Sequence, residues 1–242
     1  MRLIKKIFFK LFLNTEFFIK VLKFKNYLLG VKNNIPSSTY ISSSAQIIGL
    51  KYFSIGNYST IGDDVWININ HRNTDGISII VGDNCLIGRR VFISVEEQVH
   101  IKDYTTISIN SMILGAHHDY SNPLKPYITS KVTGDPRITI GVNCFIAAGA
   151  IILAGVKIGH GSVIGAGTIV SRDIPPFSLA VGSPCKIIKN FDFEKRKWVK
   201  NSSNNKKIIN IINEENYLEQ LKIIFPKTGP NFYAATSKVG SN

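Results

Sequence analysis

Cysteine is scarce in this chain: Cys85, Cys144 and Cys185 are the three in 242 residues, with no C-x-x-C pair among them. That spacing excludes a disulfide framework and a structural zinc site, and it fits a reducing compartment. A long uncharged apolar run is also missing. The first 32 residues are rich in Ile, Leu and Phe, yet lysines and Glu16 leave no uncharged stretch longer than six residues. A membrane-spanning helix needs about 20 apolar residues, and the core of a signal peptide about 7–15. Neither is present there. Acidic residues are short in number, but only at the ends. Residues 1–32 carry eight basic residues against one acid, and residues 186–242 carry eleven against five. The segment between is balanced at ten each, so the formal charge of +13 belongs to the flanks. No nucleic-acid module or basic–aromatic stripe accompanies that charge, which excludes nucleic acid as the expected partner.

The N-terminal flank places Lys6, Lys10 and Lys20 with Arg2 on one side of a helical wheel, and Ile4, Phe8, Leu11, Phe18, Leu22 and Leu29 largely on the other. The spacing predicts a basic amphipathic helix within residues 1–34. Such a helix packs on its own domain or lies on an anionic membrane surface.

The centre of the chain has a beat of six. Aliphatic residues recur at Ile35, Ile41, Ile47, at Ile55, Ile61, Ile67, at Val81, Ile87, Ile93 and at Ile101, Ile107, Ile113. From Ile140 the beat runs unbroken through Ile146, Ile152, Ile158 and Ile164 to Val170. A period of six is neither helical nor that of an extended alternating strand. It predicts a parallel β-helix, each hexapeptide a short strand and a bend. Four places after many markers stands a small residue, such as Ser59, Cys85, Thr105, Cys144 or Ser162. Such residues suit the interior of a narrow coil. Every break in the beat follows a third marker, so the helix has three sides and all insertions leave from one corner. About six triangular coils result. The largest excursion, residues 114–139, opens on "AHHDYSNP". A loop of that length in a compact repeat is a candidate active-site loop.

The segments "IGDDVW", "VGDNCLIG" and "IGHGSVIGAGTIVSRDIPPFSLAVGSPCKIIKN" resemble the hexapeptide-repeat acyltransferases, and the closing segment is most similar to the sugar O-acetyltransferases. "HHDYSNP" resembles the branch that modifies O-antigen and capsule polysaccharides. The resemblance covers about residues 35–190. It implies an all-β left-handed parallel β-helix with flanking N- and C-terminal α-helices. It also implies a homotrimer, acetyl-CoA as co-substrate and no metal. The domains expected are a basic helical N-terminus (1–34), the β-helix domain (35–190) and a C-terminal helix with a mobile tail (191–242). The resemblance further implies a cytoplasmic enzyme, peripheral on the inner membrane face if the N-terminus docks there.

The implied chemistry is base-assisted acetyl transfer from acetyl-CoA to a sugar hydroxyl of a surface polysaccharide or its precursor. A hydroxyl is a poor nucleophile at neutral pH, so a neutral imidazole must take its proton. Relatives place that histidine five positions after a third-turn marker, which from Ile113 is His118, with His117 as neighbour or substitute. Asp119 stands ready to orient an imidazole. On the acceptor side the matching slots are Ser94 and, one coil earlier, Asn68. As isolated residues, Asn68 and Asn70 read as turn formers. The donor-side slots are Ala148, Ala166, Ser171, Arg172, Lys186 and Lys189, the cationic ones suited to coenzyme A phosphates. Acetylation of an amine, on a nucleotide sugar or an antibiotic, stays open as the alternative. A metal lyase of this fold would need three histidines on adjacent coils, and none stands at 122–124.

Overall fold

A computed structural model describes residues 35–70, 76–133, 137–201 and 211–228. The amphipathic helix expected within residues 1–34 lies outside the described residues. Three parallel sheets wrap one core. The first runs through Tyr40–Ile41, Thr60–Ile61, Leu86–Ile87, Thr106–Ile107, Phe145–Ile146, Val163–Ile164 and Ser178–Val181. The second holds Gln46–Ile48, Trp66–Ile69, Phe92–Val95, Met112–Gly115, Ile151–Leu153 and Ile169–Val170. The third holds Phe53–Ile55, Ile79–Val81, Val99–Ile101, Ile138–Ile140 and Lys157–Ile158, extended by a bridge from Ile158 to Ile174.

The six-residue markers fall into three columns, and each pairs in register with the marker above it. Ile61, Ile87, Ile107, Ile146 and Ile164 stack in the first sheet. Ile67, Ile93, Ile113, Ile152 and Val170 stack in the second. Val81, Ile101, Ile140 and Ile158 stack in the third. All of these are buried, and each such side chain contributes about 1.5–3 kcal/mol on leaving water. The small residues read as interior are interior: Ser59, Thr105 and Ser162 are fully buried, with Cys85 and Cys144 beside them. Burial pushes both thiols up to about 12, so neither is a nucleophile at neutral pH.

The bends differ from corner to corner. Between the third and first sheets the chain turns on left-handed residues Tyr58, Asn84, Tyr104 and Asn143, with φ between 52° and 61°. Here carboxylates knit the coils. Asp83 Oδ1 accepts from Asn57 N at 2.6 Å, and Asp103 Oδ1 accepts from Asp83 N at 3.1 Å. Gly56 and Gly82 make room for them, since a Cβ there would stand 2.2 and 2.1 Å from those oxygens.

At Val142 that ladder has no aspartate to draw on, because the next residue of the column is His160. The C-terminal helix α1 (Glu214–Ile224) supplies the missing oxygen: Glu214 Oε1 accepts from Val142 N at 3.0 Å. Asn213 caps α1 by accepting from Asn216 N, and acidic residues fill its first turn, as the helix dipole favours. From there the segment runs back along the corner. Tyr217 meets Asn143 and packs 5.1 Å from Phe177, and Tyr104 donates to Phe225 O at 2.9 Å. Thr228 N donates to Asn84 Oδ1 at 2.9 Å.

Two details depart from the sequence reading. The C-terminal helix expected within residues 191–242 is short among the described residues: residues 211–213 are not helical and α1 begins at Glu214. Asn213 explains this, because its side chain serves better as a cap than within a helix. The first sheet also continues beyond residue 190. Lys186–Asp192 and Lys197–Lys200 add antiparallel strands to Ser178–Val181. Phe191, Phe193 and Trp198 pack edge to face across them, an aromatic pairing that no six-residue beat announces.

Candidate active site

The chain makes its excursions at the corner between the second and third sheets. They start after Gln46–Ile48, after Trp66–Ile69, after Phe92–Val95 and after Met112–Gly115. The longest is narrower than the sequence reading, because Leu114 and Gly115 complete one strand and Ile138 and Thr139 begin the next. It occupies residues 116–137.

Its root is a two-stranded antiparallel ribbon, with His117 opposite Thr133 and His118 opposite Val132. Asp119 N donates to Lys131 O at 2.9 Å and extends the pairing. The ribbon answers why the beat stops at the histidines. The chain leaves the coil and pairs with its own return. His117 Nδ1 lies 3.0 Å from the His118 carbonyl oxygen. A carbonyl only accepts, so Nδ1 is the donor in that contact. The His117 ring also lies 5.2 Å from that of Tyr120. His118 is exposed, at the edge of the corner.

Asp119 is bound differently from the expectation. Its Oδ1 accepts from Ser121 N at 2.9 Å, closing a tight turn. The Ser121 N–H, with lesser help from His117 and Lys125, holds its carboxyl below the ordinary aspartate value. Asp119 therefore orders the loop, and His117 feels it as a nearby charge.

On the strands beneath, Asn68, Ser94 and Leu114 stand side by side in register. Asn68 Nδ2 donates to Asn70 Oδ1 at 3.0 Å, and Asn70 Nδ2 donates to Ser94 Oγ at 3.0 Å and to Val95 O at 3.2 Å. The two acceptor-side slots are thus joined through Asn70, a residue that sequence reasoning left as a turn former. Its position at the start of an excursion was the available signal.

The donor-side residues fall into two groups. Ala148 and Ala166 stack on the corner between the first and second sheets, where Gly167 N donates to Ala148 O at 2.9 Å. Gly149 and Gly167 beside them face open space. Ser171 and Arg172 follow the last second-sheet strand, Ile169–Val170, and Arg172 Nη2 donates to Cys185 O at 2.7 Å. That bond brings Arg172 beside Lys186, while Lys189 lies further along the same strand, paired with Lys200. The structure joins Ser171, Arg172 and Lys186 and leaves the alanines on a different corner. His160, away from both groups, is buried, with Nε2 2.9 Å from Ile212 O and its ring edge-on to Phe177. Among the described residues no three His, Cys, Asp or Glu side chains form a metal-binding group, and no helix is long and apolar enough to cross a membrane.

Two segments match known family descriptions. Residues 137–172 match the bacterial transferase hexapeptide (six repeats), and residues 78–96 match the hexapeptide repeat of succinyl-transferase. The galactoside O-acetyltransferase of Escherichia coli K12 is 34% identical over 141 residues, which is 58% of each chain. The chain thus spans less than two thirds of that relative. Among solved structures, a galactoside acetyltransferase in complex with coenzyme A superposes with a TM-score of 0.50 at 24% identity, covering 77% of this chain and 90% of that one. A point mutant of AntD, an N-acyltransferase from Bacillus cereus, in complex with dTDP and coenzyme A, superposes with a TM-score of 0.54 at 23% identity, covering 66% and 88%. At such identities the likeness speaks for the fold, and it implies the left-handed form of the β-helix.

Proposed function

We propose that this hexapeptide-repeat chain is an acetyltransferase that moves the acetyl group of acetyl-CoA onto a hydroxyl of a surface-polysaccharide sugar or its precursor. The observation that carries the reading is the histidine pair, braced by its ribbon at the root of the longest excursion, on the corner from which the excursions leave. His118 is the base. Its imidazole takes the hydroxyl proton as the sugar oxygen attacks the thioester carbonyl, and returns a proton to the departing thiolate as the tetrahedral intermediate collapses. His117 acts through the backbone, holding the His118 carbonyl. Arg172 and Lys186 offer positive charge to coenzyme A phosphates, and the open glycine corner leaves room for an extended chain.

The outer row of the second sheet supports assembly of copies. Trp66 is 48% and Met112 41% exposed, and Leu124 on the excursion is 91% exposed. Such apolar surface is costly for an isolated chain and fits a homotrimer whose sites lie between neighbours. The same reading has the basic residues 1–34 resting on the anionic inner face of a cytoplasmic membrane.

The test is product chemistry. Incubation with labelled acetyl-CoA and candidate sugars should yield an ester that mild alkali removes. A label that survives alkali indicates an amide and the N-acyl alternative. Absence of acceptor-dependent coenzyme A release with any sugar would overturn the proposal.

A further inference from the structure

The histidines account for the proton, but not for how an acceptor is held against them. Below the strand that leads into the pair lies Ser94, one strand spacing away, about 4.8 Å, and Asn68 lies one strand further. Ser94 is on the outer side of its strand yet only 8% exposed, because Asn70 reaches over it from the coil before. Leu114 stands over Ser94 and Gly115 over Val95, where a Cβ on Gly115 would come within 3.1 Å of Ser94 O. The excursion therefore leaves just past Ser94.

The hydrogen bonds have a direction. Asn70 also faces the Val95 carbonyl, at 3.2 Å, and a carbonyl only accepts. The Asn70 amide nitrogen must then lie on that side, where Ser94 Oγ is 3.0 Å away. Its amide oxygen is left to receive Asn68 Nδ2 at 3.0 Å. Ser94 Oγ accepts from Asn70, so its own proton points elsewhere. No acceptor for that proton is found among the described residues.

We infer that Asn70 is a positioning residue that turns the Ser94 hydroxyl into a fixed hydrogen-bond donor for the acceptor sugar. The inference rests on the transferase reading above and narrows it. A donor fixed in this way selects a sugar that presents an accepting oxygen next to the reacting hydroxyl, such as a ring oxygen, an N-acyl carbonyl or a carboxylate. It disfavours an ammonium at that place, because two donors would face each other.

Asn70→Asp is the sharpest test. The carboxylate is nearly isosteric but accepts only, so Ser94 must turn its proton toward residue 70. The acceptor KM should rise about tenfold or more, as for loss of one hydrogen bond to a substrate. The acetyl-CoA KM should hold. Ser94→Ala should give a similar rise, and Asn70→Asp added to it should do no further harm. A change of less than about twofold in acceptor KM for Asn70→Asp, or an equal rise for acetyl-CoA, would overturn the inference. Neutron diffraction on the deuterated wild-type protein decides the proton direction independently of activity. A deuteron on the Asn70 side of Ser94 Oγ refutes the inference even if transfer is robust. A deuteron pointing away, in a protein that acetylates nothing, refutes the transferase reading and leaves the hydroxyl a donor to another ligand.

Discussion

Two corners of the same prism are built from the same six-residue repeat and have come to opposite uses. At the corner between the third and first sheets, Asp83 and Asp103 tie coil to coil, and Glu214 arrives from 72 residues away to complete the row at Val142. Polar backbone there is met by protein. At the corner between the second and third sheets the chain departs again and again, leaving His118 exposed and Ser94 on the outer side of its strand beneath Asn70. A coil that touches only its neighbours tolerates an insertion at one corner if the other two keep the register. Coil-to-coil bracing and the excursions are therefore separated around the axis of the prism rather than along it.

The contrast can be broken from either side. The largest effect should come from the corner of the excursions. His118→Ala should lower acetyl transfer by about 10²–10⁴-fold, with an unchanged melting temperature, because the side chain is exposed and supports no packing. If His117→Ala causes the larger loss, the base is the neighbour. The sealed corner should answer the other way. Glu214→Ala removes the acceptor for Val142 N and the partner of Lys102, and should cost about 1–3 kcal/mol in urea unfolding. Turnover of the folded enzyme should not change. Glu214→Gln keeps an accepting oxygen and should cost less.

Acid should reach the sealed corner selectively. Burial opposes ionisation of Glu214, but the Lys102 ammonium and the Val142 N–H outweigh it, and the carboxyl is held below its ordinary value near 4.5. A depressed folded value means that this stabilisation is complete above the ordinary value and fades as the pH falls through the depressed one. Urea midpoints taken from pH 6 down to pH 3 should fall less steeply for Glu214→Gln than for the natural chain. Parallel curves would show that the carboxylate contributes nothing. The smallest change belongs to Asp119→Asn, which keeps an oxygen for Ser121 N. It should leave both stability and transfer nearly intact. A hundredfold loss of transfer would make Asp119 a true partner of the imidazole.

Much of the frame was legible in advance because it is periodic. Ile67, Ile93 and Ile113 recur for one reason, burial at one place in each coil, and a repeated cause leaves a repeated mark. The common corner of the insertions followed from the same count, since each break comes after a second-sheet marker. What escaped was whatever happens once. Lys102 stands where other coils have glycine, as at Gly82 and Gly141, and the exchange makes sense only beside Glu214. The strands Lys186–Asp192 and Lys197–Lys200 lack the beat because they pair backward on the last coil rather than forward on a next one. Asn70 read as a turn former because its partner Ser94 lies 24 residues on, beyond any local pattern.

The amino-acid order alone determined a three-sided coil with a hydrophobic column at each side, and the place where a histidine pair breaks its rhythm. It could do so because hydrophobic burial acts on every coil alike. Only the folded chain decided which way Ser94 and His117 hold their protons, and that a distant helix closes one corner. Those outcomes depend on single hydrogen bonds between groups far apart in sequence, and such a bond exists only once the coils that carry its two ends are stacked.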